Sequence, residues 1–176
     1  SADVSVSQSN GVLEVRFNRP TKKNAITLAM YAEIAKALED ANSNAEVRAV
    51  LFTAAGETFS SGNDIMDFAS AGANFEGTPQ ARLLEAFVAF EKPLVAAVHG
   101  PAIGIGATML LHCDLVYATS EARLVTLFVS LGLVPEAGSS LLLPRRIGYA
   151  ASAELLLLDK PMDGERAREL GLVNEI

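Results

Sequence analysis

From Pro93 to Cys113 the chain carries no Asp, Glu, Lys or Arg. A run of that kind has to leave water, either into a bilayer or into the protein's own interior. A spanning helix wants about 20 consecutive apolar residues, and Pro93, His99, Gly100, Pro101, Gly104 and Gly106 interrupt this one. The run therefore reads as a buried strand (Leu94–Val98), a glycine-rich turn and a buried helix (Gly104–Leu111). A strand apolar on both sides belongs in a largely parallel sheet covered by helices on both faces. The fold class expected is α/β.

The flanking sequence repeats the same cycle. Val4–Ser7 and Val12–Phe17 alternate with period two around Asn10-Gly11, the signature of a tight hairpin. Ile26, Met30, Ile34, Leu38 and Ala41 recur at helical spacing, predicting an amphipathic helix from about Thr27 to Ala41. Val47–Thr53 is a second buried strand, and Leu83, Leu84, Phe87 and Phe90 mark another helix. Leu115–Ala118 is the next strand. Helices follow over Ser139–Ile147, Ala150–Leu158 and Gly164–Leu170, the last capped by Asp163 and ended at Gly171. Strands alternating with helices imply mostly parallel pairing. No linker or repeat divides residues 1–176, so one domain is expected.

Composition narrows the function classes. The chain has 176 residues, half of them apolar, and a formal net charge of −7. That is enough apolar material for a core, and the acidic balance argues against a phosphate-tracking nucleic-acid surface. A single Cys and two His exclude a disulfide framework and leave little for a metal centre, so no metal site is expected. The N-terminal Ser1-Ala2-Asp3-Val4 lacks a signal-peptide pattern. A cytoplasmic protein without a membrane segment is expected.

Three loops between strand and helix are candidate sites, because helix N-termini present unpaired N–H groups. In Phe59-Ser60-Ser61-Gly62-Asn63-Asp64, Gly62 permits close backbone approach and Asp64 can cap a helix; a plain surface turn is the alternative. In Gly100–Gly106 three glycines allow a sharp turn, or simply tight packing of helix on strand. In Val134–Ser140, Glu136 stands alone: no charged residue separates it from Arg123 or from Arg145. A carboxylate among Leu131, Leu133, Val134 and Leu141 would have a raised pKa and suit a general base. Equally, Pro135 and Glu136 open helices well. His99 and His112 read as core histidines, Cys113 as a small buried hydrophobe, and Arg145-Arg146 as a solvated helix face. Arg19, Lys22 and Lys23 form a local positive spot that could attract a phosphate.

Taken together these segments, from Asn18-Arg19-Pro20 and Asn24-Ala25-Ile26 to Gly171-Leu172-Val173, resemble the crotonase superfamily, the enoyl-CoA hydratase/isomerase fold. The resemblance covers essentially the whole chain. It implies a spiral of ββα turns and an acyl-CoA thioester substrate whose carbonyl oxygen is held by two backbone N–H groups. By motif match those donors are Asn63 and Ile105. Hydratases of this family use two glutamates, and the matching positions here are Thr108 and Phe128. The Pro135–Ser140 segment instead resembles the Δ3,Δ2-enoyl-CoA isomerase branch, in which the glutamate at the place of Glu136 is the only acid/base. The resemblance further implies CoA contacts around Ser60, Ser61, Gly62, Asp64, Ile65 and Gly104. It also implies phosphates near Lys22 or Lys23 and an acyl-chain wall that includes Leu84, Phe87 and Phe128. Coenzyme A belongs to the substrate, and no separate cofactor is expected.

Three alternatives stand beside that reading: a hydratase, a dinucleotide-dependent oxidoreductase, and a catalytically silent acyl-CoA binder. Against the second, none of Tyr31, Tyr117 or Tyr149 has a Lys four residues on. The resemblance also implies a homo-oligomer, trimer or hexamer. It implies a further C-terminal helical segment that is missing here, with apolar surface expected to be exposed near Leu170 and Leu172.

Overall fold

The computed structural model describes residues 2–70 and 75–176; Ser1, read above as part of the N-terminal stretch, and residues 71–74 lie outside them. The chain opens with an antiparallel hairpin, β1 (Val4–Ser9) and β2 (Val12–Phe17). Asn10 and Gly11 both take positive φ, 52° and 81°, as a tight hairpin turn of this hand demands. Pro20–Lys22 forms a single 3-10 turn. Helix α1 (Leu28–Ser43) follows, its N-terminus capped by the Thr27 hydroxyl, which accepts from the Met30 N–H. The helix packs Met30, Ile34 and Leu38 into the core with no more than 1 % exposure.

Three ββα-like turns come next. β3 (Ala49–Ala54) runs into the Phe59–Asp64 loop and then α2 (Ile65–Ser70) and α3 (Pro79–Ala89). β4 (Leu94–Val98) leads to β5 (Pro101–Ile103) and α4 (Ile105–Thr108), whose last turn tightens into a 3-10 turn over Met109–His112. β6 (Leu115–Ala118) leads to β7 (Arg123–Val125) and, after a long loop, to α5 (Ser139–Ile147) and α6 (Tyr149–Leu158). β8 (Met162–Asp163) and α7 (Gly164–Glu169) complete the chain, with the Asp163 carboxylate capping the Arg166 N–H.

In the second and third of these turns one strand joins a large sheet and the next joins a small one; in the first, Ser60 makes only a single bridge to Ala102 of β5. The large sheet has the order β1-β2-β3-β4-β6, parallel throughout except for the opening hairpin. The small sheet has the order β5-β7-β8. β5 and β7 are parallel neighbours, so the connections that leave them toward helices emerge at the same end of the small sheet, whereas β8 runs antiparallel to β7. The two- and three-residue strands β5, β7 and β8 are absent from the sequence reading, because they are too short to show alternation.

Two expectations need correction. Leu172 is only 4 % exposed and Leu170 is half-buried, so the apolar surface expected there is not found. Gly171, at φ 81°, turns the chain back after α7, and Leu172 and Val173 pack into the core. Outward-facing apolar side chains are found elsewhere, among them those of α6, where Tyr149, Leu157 and Leu158 are 77 %, 59 % and 71 % exposed. Among the described residues no helix is long and apolar enough to cross a membrane.

Candidate active site

The Phe59–Asp64 loop is held as if it were a strand. The Phe59 and Ser60 N–H groups donate to the Pro101 carbonyl, and the Ile103 N–H donates back to Ser60 at 2.9 Å. On its other side Ile26 donates to the Gly62 carbonyl at 2.8 Å and accepts from the Asp64 N–H at 2.9 Å. Both neighbours of Asn63 are thus pinned, while the Asn63 N–H finds no acceptor among the described residues.

The second loop repeats this arrangement. Gly104 donates to the Val125 carbonyl, and its own carbonyl accepts from Ala107 and Thr108. The Ile105 N–H between them has no acceptor among the described residues. The two loops touch at their glycines. Gly62 has φ 90°, and a Cβ there would lie 2.9 Å from the Ile103 carbonyl oxygen. A Cβ on Gly106 would lie 2.8 Å from that of Ser60. Only residues without a Cβ let the two loops come this close.

Glu136 sits beside the second loop. Its Oε1 accepts from the Thr108 hydroxyl at 2.5 Å, one helical turn beyond Ile105. Burial pushes the Glu136 carboxyl above the ordinary range, and the Thr108 hydrogen bond partly offsets this. Desolvation is the cause expected, but the expected neighbours are corrected: Leu131, Leu133, Val134 and Leu141 are all exposed and do not enclose it. Nor does Glu136 open a helix, since α5 begins at Ser139. It lies in a loop whose next residue, Ala137, has a left-handed φ of 53°.

Tyr31 completes the group, and no motif pointed to it. It is 3 % exposed on the buried face of α1, and its hydroxyl donates to Asn63 Oδ1 at 2.6 Å. Burial raises its pKa and the Glu136 charge adds to this, which brings Asn63 and Glu136 into one electrostatic neighbourhood. The available signal was a phenol on the apolar face of a helix, since a buried hydroxyl needs a partner.

The basic loop is tied to the same place. Arg19 bonds Asp64 at 2.6 Å, so Asp64 serves as an ion-pair partner whose carboxyl is held below the usual range by that guanidinium. Lys23 lends its carbonyl to the Ser61 N–H, and Lys22 and Lys23 are both exposed. Ser60 is fully buried, its hydroxyl donating to the Asn24 carbonyl and accepting from the Gly62 N–H. Asn24 is fully buried as well; its Nδ2 donates to the Ala55 and Thr58 carbonyls, and its Oδ1 accepts from the Arg19 N–H. Asn24→Ala would strand these three backbone groups, and we expect a loss of about 3 kcal/mol in urea unfolding.

The remaining expected residues fall in different places. Ile65 is 81 % exposed beside the loop, whereas Phe128, at 3 %, is core. Phe87 is buried against the His112 ring, centroids 5.3 Å apart, while Leu84 packs on the core edge. His99 and His112 are half-buried rather than core, each bonded to a backbone carbonyl. Burial pushes the Cys113 thiol up to about 12, as suits an inert side chain. Arg146 is exposed as expected, yet it also donates to the Leu110 and Cys113 carbonyls.

Comparison with known proteins places this geometry. The family described as Enoyl-CoA hydratase/isomerase matches residues 7–176. The chain is 42 % identical to enoyl-CoA delta isomerase 2 of Rattus norvegicus, over 100 % of this chain and 46 % of the relative. It is 37 % identical to the peroxisomal enoyl-CoA delta isomerase 3 of Mus musculus, over 100 % of this chain and 57 % of the relative. The chain thus spans about half the length of these curated relatives. The solved structure of OdaA from Pseudomonas aeruginosa superposes with a TM-score of 0.95 at 48 % identity, covering 99 % of this chain and 70 % of that one.

Proposed function

The chain belongs to the enoyl-CoA hydratase/isomerase family, and on that premise we propose that it isomerises a 3-enoyl-CoA to the 2-trans-enoyl-CoA, with Glu136 as the single proton carrier. The observation that carries this reading is a half-buried carboxylate of raised pKa next to two unpaired backbone N–H groups. The thioester oxygen would accept from the Asn63 and Ile105 N–H groups, which stabilise the negative charge that develops on it. Glu136 would take a proton from C2, leaving a dienolate, and return it to C4. Coenzyme A would lie along Ser60–Ile65 and Gly104, its phosphates toward the exposed Lys22 and Lys23.

Hydration is the less supported chemistry, because Thr108 and Phe128 stand where the resemblance puts two carboxylates. Thr108 supplies a hydroxyl that orients Glu136, and Phe128 is buried. A homo-oligomer, trimer or hexamer, is part of the same reading, supported by the exposed apolar side chains of α6, and so is a cytoplasmic location.

The test is incubation of the full-length protein with 3-hexenoyl-CoA, following the conjugated thioester, with a parallel search for 3-hydroxyacyl-CoA from the 2-enoyl substrate. The base form of Glu136 is the active one, so kcat/KM should fall as pH drops through its raised pKa. That acid limb is expected above the ordinary glutamate value of about 4.3. Hydration without isomerisation, or no turnover at all, would overturn the proposal.

A further inference from the structure

The stretch Ile105–His112, α4 and the 3-10 turn that follows it, carries three groups that bear on the site. The first is the unpaired Ile105 N–H, and the second is the Thr108 hydroxyl bonded to Glu136. The third is His112, whose Nε2 lies 2.9 Å from the carbonyl of Ala137, the residue after Glu136. A carbonyl can only accept, so Nε2 carries the hydrogen and His112 is the donor. The ring is stacked on Phe87 at an interplanar angle of 16°, which fixes its direction.

The anchored loop needs such a hold. Ala137 and Gly138 are consecutive left-handed residues, at φ 53° and 68°, directly after Glu136. An alanine in that region costs about 1–2 kcal/mol and persists only where its surroundings impose it. Ser139 holds the carbonyl of Glu136 through both its N–H and its hydroxyl. His112 is the group that holds the carbonyl of Ala137 itself. Arg146, from α5, ties down the carbonyls of Leu110 and Cys113 on either side of His112, so the anchor is itself anchored.

We propose that His112 is a positioning residue for the reaction, which keeps the Glu136 loop in register with the Ile105 N–H through its bond to Ala137. The proposal rests on Glu136 being the base, and it goes beyond the resemblance, under which His112 has no role. The experiment compares His112→Phe, which keeps a ring against Phe87 but has no donor, with His112→Gln, which restores an N–H.

For His112→Phe we expect kcat to fall about tenfold with KM within twofold, since sub-ångström misplacement of a base acts on the chemical step. His112→Gln should return kcat to within about threefold. Amide hydrogen exchange over residues 133–139 should quicken in the Phe variant and return in the Gln variant. An unchanged kcat and unchanged exchange in a folded Phe variant would overturn the proposal while leaving Glu136 as base. Equal losses in both variants would overturn it too, because the donor would then be irrelevant. If wild type shows no isomerase turnover, the reading of Glu136 fails by itself. Exchange then decides whether His112 anchors the loop, quickening in the Phe variant alone supporting the anchor and no change overturning it.

Discussion

Glu136→Gln should lower isomerase turnover by about a thousandfold, within the range typical of losing a general acid–base group. The substitution keeps the side chain's size and an oxygen that can still accept from the Thr108 hydroxyl, now bonded at 2.5 Å. What it removes is the ability to accept a proton from carbon and return it. Because the carboxyl already suffers from burial, replacing it with a neutral amide should leave stability unchanged or improve it. The prediction is therefore a sharp split, with kcat collapsing while Tm and CoA affinity hold. Retention of more than a tenth of the activity would mean that another group moves the proton, since uncatalysed removal at C2 cannot approach such a rate.

The second large effect is expected from Gly62→Ala. The new methyl meets a backbone oxygen, that of Ile103, at 2.9 Å, and a backbone oxygen cannot rotate away as a side chain would. The φ of 90° adds strain of its own. The chain can relieve both only by withdrawing the Phe59–Asp64 loop, and the Asn63 N–H moves with it. Removal of one donor of this kind costs about 2.7–4 kcal/mol in the transition state, so kcat should fall by roughly two orders of magnitude. Gly77→Ala is the matched control: it shares a positive φ, 76°, but its Cβ would have nothing within 4 Å among the described residues. It should lose a little stability and no activity. Equal activity in the two variants would remove the Asn63 N–H from the mechanism.

Much of this was legible before any coordinates, for identifiable reasons. The hairpin announced itself because Asn10-Gly11 is a turn only certain residues can make, and α1 because its apolar positions repeat every three or four residues. Glu136, Asn63 and Ile105 were reachable because each sits in a short motif with unusual local composition. The contacts between motifs were not. Tyr31 lies far from Asn63 in sequence, and no periodicity says that its hydroxyl ends on that side chain. Thr108 was read only as a missing carboxylate, although its hydroxyl orients the carboxylate that is present. The leucines near Glu136 in sequence misled, because they turn outward, while Thr108, distant in sequence, supplies the carboxylate's hydrogen bond. The surface near Leu172 misled for a related reason, since one glycine at φ 81° redirected the segment inward.

The two N–H donors and the base are attached to the scaffold in different ways. Asn63 and Ile105 are flanked by main-chain ladders, which allow no change of path and, at Gly62 and Gly106, no side chain. Glu136 hangs on a loop fastened by side chains, those of Thr108, Ser139 and His112, each replaceable one at a time. Such a layout separates what is permanent from what is negotiable. On the proposed reading, the means of stabilising an enolate is built into the topology, while the group that supplies the proton can be exchanged by point substitution. On that reading, a change of reaction requires substitutions in the Glu136 loop alone, with both N–H donors left in place.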